Sequence, residues 1–199
     1  MNITDLSSAA LFVSVWATQS PAKAARMMLY AIESTGHESW SFTTGAQTCA
    51  NRASPAVGLD GTIYFACDRE LHALTPAGLH RWQFNAPGVL RAPSIGADGS
   101  IYVGSDRSVE VRADTLIVHA PSRLFALHPD GTQSWAVDLE GDVWASPAID
   151  FEGALHMATE ERLYTFDGDG VQLAQHRTGA IHTPIIGANG SVYVSAGDI

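Results

Sequence analysis

The stretch IGADGSIYVGS, from Ile95 to Ser105, joins a short apolar segment to an alternating strand through an Asp-Gly pair. In the second segment Ile101 and Val103 alternate with Tyr102 and Gly104, which is the period of a β-strand. Asp-Gly provides the positive φ values that a two-residue type I′ turn needs. The stretch therefore predicts a β-hairpin with such a turn at Asp98-Gly99.

This hairpin motif occurs four times along the chain. The copies are SPAVGLDGTIYFA (Ser54 to Ala66), APSIGADGSIYVG (Ala92 to Gly104), SPAIDFEGALHMA (Ser146 to Ala158) and TPIIGANGSVYVS (Thr183 to Ser195). Recurrence at a spacing of about 38 residues is typical of repeat architectures. A longer spacing between the second and third copies indicates an insertion.

A second motif alternates with the first. Its copies are LYAIESTGHESW (Leu29 to Trp40), LHALTPAGLHRW (Leu71 to Trp82), LFALHPDGTQSW (Leu124 to Trp135) and LYTFDGDGVQLA (Leu163 to Ala174). Two hairpins per repeat make four strands, which is the plan of a propeller blade. The tryptophan that ends the motif is expected to wedge between neighbouring blades, and Ala174 replaces it in the fourth copy.

We therefore predict an all-β chain, a partial β-propeller of four-stranded antiparallel blades with seventeen blade strands. Residues 1–199 form one domain in this interpretation. Its parts are a partial blade at 1–43, blades at 54–84, 92–138 and 146–176, and a partial blade at 183–199. The segment SSAALFVSV (Ser7 to Val15) fits a degenerate strand copy better than a signal peptide. The arc is either a piece of a larger propeller, which we favour, or is completed by another chain.

Composition excludes some classes of partner. The net charge is −10, so nucleic acid and acidic membrane surfaces would be repelled. The longest mainly apolar run, Ala9 to Val15, which includes Ser14, is well short of the roughly 20 residues of a membrane-spanning helix. We expect no nucleic-acid partner and no transmembrane segment. The compartment stays open, and Cys49 and Cys67 are equally compatible with a disulfide and with free thiols.

The candidate binding surface follows from the direction of the strands. Two long insertions, at 16–26 and 107–122, both fall between the second and third strands of a blade, and so on the same face of the disc. The links between blades on this face carry the candidate binding residues Arg52, Arg91, Trp144 and His182. The alternative is structural: Trp144 would fill the central channel and the arginines would cap nearby carbonyl groups.

The combined pattern SPAxGxDGxIYVGS…LxALxPxGxxxW resembles the pyrroloquinoline quinone (PQQ) type propeller repeat. Quinoprotein dehydrogenases and non-enzymatic relatives such as outer-membrane assembly lipoproteins share this repeat. The resemblance implies seven- or eight-bladed rings and a periplasmic, cell-envelope or secreted location. For the enzymes it also implies PQQ on the axis with calcium. This chain departs from the enzyme pattern, because it has no vicinal Cys-Cys pair and only Asn51 and Asp142 among the expected near-axis ligands.

The expected function is therefore a non-catalytic scaffold that binds a protein or a small ligand, with no cofactor, no metal and no catalytic residues. The alternative is a fragment of a PQQ- and calcium-dependent dehydrogenase. Two other candidates have structural explanations. The DGDG segment (Asp167 to Gly170) aligns with tight turns of the repeat and lacks the rest of a calcium loop. His72, His128 and His156 occupy repeat positions without paired zinc spacing.

Overall fold

The computed structural model describes residues 11–17, 26–44, 53–112, 115–179 and 182–196. All regular structure in these residues is β, which confirms the predicted fold class. Three sheets have four antiparallel strands and are built from consecutive segments of the chain. A three-stranded sheet precedes them and a two-stranded sheet follows them.

The strands have the following bounds. Sheet 1 contains β1 (Leu11–Ala17), β2 (Arg26–Ile32) and β3 (Glu38–Thr43). Sheet 2 contains β4 (Ala56–Val57), β5 (Ile63–Cys67), β6 (Glu70–Leu74) and β7 (His80–Asn85). Sheet 3 contains β8 (Ser94–Ile95), β9 (Ile101–Ser105), β12 (Ser122–Leu127) and β13 (Gln133–Leu139). Sheet 4 contains β14 (Ala148–Ile149), β15 (Leu155–Ala158), β16 (Arg162–Phe166) and β17 (Gln172–Arg177), and sheet 5 contains β18 (Ile185–Ile186) and β19 (Val192–Tyr193).

A separate hairpin of two strands, β10 (Ser108–Arg112) and β11 (Thr115–Ala120), lies inside the second insertion, between β9 and β12. It belongs to none of the five sheets. The predicted seventeen blade strands are present in the described residues, and the hairpin adds two strands that the repeat does not contain.

Successive sheets pack face to face, because each central strand is apolar on both sides. Along β5, Phe65 packs against residues of sheet 1, whereas Tyr64 and Ala66 belong to the cluster shared with sheet 3. Every residue of β5 and β9 is buried. Alternating side chains thus bury sheets 2, 3 and 4 each against two neighbours, which is the stacking of propeller blades.

The hairpin turns differ from the prediction. Asp60 does not have a positive φ; only Gly61 does, at +80°. The N–H of Gly61 donates to the carbonyl of Gly58 at 2.9 Å, and the N–H of Gly58 donates to that of Thr62 at 2.8 Å. This is a three-residue loop, a type I turn followed by a left-handed glycine. The predicted type I′ turn was therefore wrong, here and at Asp98-Gly99 and Asn189-Gly190, where the same hydrogen bonds recur.

The aspartate of this turn has a different role from the one that we predicted. Asp60 accepts a hydrogen bond from the backbone N–H of Thr62 at 2.9 Å and another from its hydroxyl at 2.6 Å. Asp98 does the same with Ser100. The side chain therefore closes the turn by capping the next strand, and a left-handed backbone at the aspartate is not needed.

The repeated tryptophans connect neighbouring sheets, as expected. Trp82, at the outer strand of sheet 2, donates its indole N–H to the carbonyl of Pro129 in sheet 3 at 3.0 Å. Trp40 reaches Pro76 and Trp135 reaches Gly168 in the same way. Each tryptophan thus binds the turn between the last two strands of the following sheet.

Two further points concern the sequence predictions. Cys67 is disulfide-bonded, which decides between the two alternatives for this residue; Cys49 lies outside the described residues. No helix in the described part of the chain is long and apolar enough to cross a membrane.

Candidate functional site

The antiparallel order of the strands gives the disc two different faces. The insertion face carries the links between the second and third strands of each sheet and the links between sheets. The turn face carries the tight turns between the first and second and between the third and fourth strands. Backbone hydrogen bonds join the two kinds of link on the insertion face, for example from the N–H of Ala86 to the carbonyl of Arg69 at 2.8 Å.

Arg91 is held by several bonds on the insertion face. It lies in the link between sheets 2 and 3, and its backbone N–H donates to Gly104 of β9. Its Nε donates to the carbonyl of Val143 at 2.5 Å, and its Nη2 lies 3.2 Å from Oδ2 of Asp106. One guanidinium therefore ties together three successive segments of this face.

A second ion pair lies beside the first. Nη2 of Arg107 donates to Oδ2 of Asp142 at 2.9 Å, and its Nε lies 2.6 Å from Oδ1. Among the described residues, no group donates a hydrogen bond to the buried Oδ1 atom of Asp142, although this atom lies within ion-pair distance of Arg107. Burial raises the pKa of the Asp142 carboxyl above its ordinary value, and the nearby Asp106 carboxylate raises it further, while Arg107 opposes both.

Trp144 is the exposed element of this cluster. The guanidinium carbon of Arg91 lies 5.1 Å from the centre of its indole ring, within the range of a cation–π contact. Its side chain is nevertheless 54% exposed. Arg91 therefore holds an aromatic ring in place on the surface. We call Arg91, Asp106, Arg107, Asp142 and Trp144 the axial cluster.

The structure brings together two of the four residues predicted for the site. Arg91 and Trp144 are in contact. Arg52 lies outside the described residues. His182 is exposed in the link before β18, and within the described residues it forms no hydrogen bond, ion pair or ring contact. Arg91 caps a carbonyl, as the structural alternative required, but the exposed ring of Trp144 does not fill a packed channel in the described residues.

Asp106 and Arg107 were missed as site residues, although the sequence holds a signal for them. The dipeptide Asp-Arg follows the second strand of two repeats, as Asp68-Arg69 in CDRE and as Asp106-Arg107 in SDRS. A charged pair at one repeat position predicts ion pairing near that position. It does not predict the partners, because Arg91 and Asp142 belong to other links.

The β10–β11 hairpin begins at the axial cluster. Arg107 directly precedes β10, and Ser108 and Ser122 at its base are buried. Val109 and Val118 pair across the two strands, and both side chains are exposed, by 40% and 53%. The hairpin thus combines a fixed base with an accessible apolar surface.

The axial cluster does not have the donor set of a calcium site. Its two carboxylates contact Arg91 and Arg107, and a guanidinium next to a carboxylate competes with a cation. In the described part of the chain, no group of three or more His, Cys, Asp or Glu side chains converges in a way that could hold a metal ion. These residues do not fit the PQQ and calcium alternative, and we derive no chemistry from it.

The buried histidines take part in local contacts of their own sheets. Nε2 of His156 lies 3.1 Å from Oδ2 of Asp150, and its Nδ1 lies 3.2 Å from the hydroxyl of Thr165. His72 contacts Glu70 and His80 through its two nitrogens, at 3.2 and 3.4 Å, and burial lowers its pKa. In the DGDG segment, Asp167 accepts the N–H groups of Asp169 and Val171, which makes this segment a capped turn.

Comparisons with known proteins agree with this fold. No family model and no curated protein matches the sequence. Similar solved structures include a protein of unknown function from Bacteroides caccae, with a TM-score of 0.62 and 15% identity over 95% of this chain and 66% of the other. A europium-containing methanol dehydrogenase matches with a TM-score of 0.63 and 12% identity over 85% of this chain and 44% of the other. The Dos1 propeller matches with a TM-score of 0.59 and 10% identity over 86% and 50%.

Sequence identities this low show a shared fold and nothing more. The chain is thus similar in fold to solved propellers such as the Dos1 propeller. It spans between 44% and 66% of the length of these structures. Membership of the PQQ-type repeat family stays a prediction.

Proposed function

We propose that this chain is a non-catalytic binding scaffold of the PQQ-like repeat type, which holds a protein or small-ligand partner on the insertion face. The observation that carries the proposal is Trp144, an exposed aromatic ring that lies against a guanidinium with two further bonds, to Val143 and to Asp106. We also propose that residues 1–199 form one propeller domain with the blade division predicted above.

Physical arguments connect this geometry with binding. Tryptophan and arginine are the residue types that most often dominate binding energy at interfaces. A ring that is already held in one orientation loses little side-chain entropy when a partner covers it. Arg91 is bonded to Val143 and Asp106 whether or not a partner is present, so Trp144 is ordered in advance.

The β10–β11 hairpin supplies the second half of the proposed surface. It lies outside the sheets, so its exposed residues Val109 and Val118 contribute nothing to the packing of sheet against sheet. A partner that contacts Trp144 would meet this hairpin on the same face. The disulfide at Cys67 supports a periplasmic, cell-envelope or secreted location, where such bonds persist.

The first experiment compares surface variants in capture of partners from an extract of the source cells, with proteins identified by mass spectrometry. Trp144→Ser and Arg91→Glu should each abolish capture of the same protein or proteins. Asp130→Arg on the turn face is the matched control, and it should leave these proteins bound. Loss of the same proteins with all three variants would contradict the assignment of the face.

A second experiment addresses the small-ligand and cofactor alternatives. The purified chain is incubated with PQQ and calcium, and both the absorbance spectrum and the melting temperature are measured. A bound ligand would stabilise the fold by mass action and so raise the melting temperature. We expect neither a cofactor band nor such a calcium-dependent rise. A cofactor band together with such a rise would replace the scaffold by a quinoprotein.

A further inference from the structure

The turn face displays large apolar side chains at the tips of its turns. Leu59 and Phe151, which follow the first strands of sheets 2 and 4, are 91% and 79% exposed. Leu79 and Val171, at the other turns of the same two sheets, are 68% and 58% exposed. None of these four side chains is needed for its turn, because backbone bonds and capping side chains close the turns, namely Asp60, Thr75, Asp150 and Asp167.

The position of these residues distinguishes them from other exposed apolar residues. Ile185 and Tyr193 are exposed on the sides of sheet 5, where a neighbouring sheet would pack against them. Leu59 and Phe151 lie in turns at the ends of the strands, and not on the sides by which one sheet packs against the next. A further blade packed against sheet 5 would therefore not cover Leu59 and Phe151, whereas a molecule docked on the turn face would cover them.

The two turns of one sheet lie side by side. A Cβ atom added to Gly61 would lie 3.0 Å from Cγ of Pro76, so the turn that carries Leu59 touches the turn that leads to Leu79. The half-buried rings of Trp82 and Trp135 reach this face as well, through their bonds to the turns of the next sheets. The tryptophans thus connect the turns of sheets 2, 3 and 4 on this face, and Leu59 and Phe151 lie on the first and the last of these three sheets.

The charged side chains of the described turns on this surface are mostly acidic. The described turns carry acidic side chains, namely Glu33, Asp60, Asp98, Asp130, Asp150, Glu152, Asp167 and Asp169. Arg81 is the one arginine or lysine near the described turns, and it lies 3.4 Å from Asp60. Hydrogen bonds from Thr62 and Ser100 lower the pKa values of Asp60 and Asp98, so these two carboxylates stay charged in mild acid.

We propose that the turn face is a second docking surface, and that its occupant is a basic segment of a protein partner with apolar side chains among its lysines and arginines. The apolar side chains of the partner cover Leu59 and Phe151, and its cations meet the surrounding carboxylates. Charge complementarity selects a basic occupant over an acidic protein or an anionic membrane. This surface is separate from the insertion face, so both can be occupied at once.

The test uses a fluorescein-labelled synthetic peptide of leucine and lysine in an amphipathic pattern, with fluorescence anisotropy as the readout. Two matched peptides serve as controls, one with glutamate in place of lysine and one with serine in place of leucine. The leucine and lysine peptide should bind, and both controls should bind at least about tenfold more weakly. Binding should weaken as salt is added, because exposed charges are screened.

Variants then locate the peptide. The double variant Leu59→Ser/Phe151→Ser should reduce affinity by about tenfold or more, because it removes both apolar contacts. Its melting temperature should match that of the wild type, since both side chains are exposed. Trp144→Ser, on the insertion face, should leave peptide affinity unchanged.

Three outcomes would overturn the proposal. The serine peptide could bind as well as the leucine peptide, which would leave only nonspecific charge attraction. The double variant could bind with wild-type affinity. Finally, the wild type could self-associate in sedimentation experiments through Leu59 and Phe151, in which case the occupant would be a second copy of the chain.

Discussion

The indole N–H of Trp82 donates to the carbonyl of Pro129, 47 residues further along the chain, and the ring of Trp82 lies over Gly131 in the same turn. A Cβ atom added to Gly131 would lie 2.6 Å from the indole ring. Glycine is therefore required at this position for two reasons. Its φ is +86°, and a side chain here would collide with the Trp82 ring of the preceding sheet.

This relationship predicts the effect of Gly131→Ala. The variant should lower the free energy of unfolding by about 1–3 kcal/mol more than the left-handed conformation alone explains, because the new methyl group displaces Trp82. Gly153→Ala is the matched control, with a φ of +87° and nothing within 4 Å of the added methyl group. Urea titration of both variants measures the difference, and equal destabilisation would contradict the steric role of Trp82.

Replacement of Arg91 tests the axial cluster. Arg91→Met keeps much of the side-chain length but removes the bonds to Val143 and Asp106, so we expect a loss of about 1–3 kcal/mol in the free energy of unfolding. Arg177→Met is the control, because the side chain of Arg177 is exposed and forms no hydrogen bond or ion pair with the described residues. Thermal and urea denaturation would both show the difference; similar values for the two variants would argue against an anchored guanidinium.

The raised pKa of Asp142 predicts a pH dependence of stability. Between the ordinary carboxyl pKa and the raised value, the folded chain binds more protons than the unfolded chain, so this residue makes stability fall as the pH rises. The melting temperature of the wild type relative to Asp142→Asn should therefore be higher at about pH 4 than at about pH 7.

Asp138→Asn controls for the loss of one charge, since Asp138 forms an exposed ion pair with Arg123. It should not reproduce the change in relative melting temperature, because exposed pairs contribute little. The difference in melting temperature between the wild type and Asp142→Asn could instead stay constant over this range of pH. That result would show that the burial of Asp142 has no energetic consequence.

Removal of the β10–β11 hairpin separates folding from binding. Replacement of residues 109–120 by a short Asn-Gly turn should leave the melting temperature within a few degrees of the wild type, because neither strand pairs with a sheet. The same variant should lose the partners that depend on Trp144. Circular dichroism melts and the capture experiment measure the two effects. A large loss of stability would mean that the hairpin supports the axial cluster.

Much of the fold could be predicted because its determinants are local. The alternation of Ile101 and Val103 with Tyr102 specifies a strand with two buried faces, and the glycines at fixed repeat positions specify where it turns. The type of turn could not be read from the same residues. Asp-Gly suits either turn, and the decision depends on whether the Asp side chain caps the following strand, as Asp60 caps Thr62.

The candidate site was predictable only in part, because its contacts join residues that are far apart in the sequence. Strand direction alone placed Arg91 and Trp144 on one face, since antiparallel strands return their links to the same edge. The partners of Arg91 come from Asp106 and Val143, 15 and 52 residues away. Contacts at such separations depend on how neighbouring sheets stack, and no local pattern records them.

The sequence by itself thus determined the order of the strands, the position of the insertions and the tryptophans that join one sheet to the next, because short-range periodicity and turn chemistry specify them. Only the tertiary structure decided which charges pair, that Trp144 is held against Arg91, and that Leu59 and Phe151 share one exposed face. These features depend on side chains of separate repeats that come into contact only when the sheets stack. Their burial and their Coulomb attraction depend on distances in space, which the order of the residues along the chain does not specify.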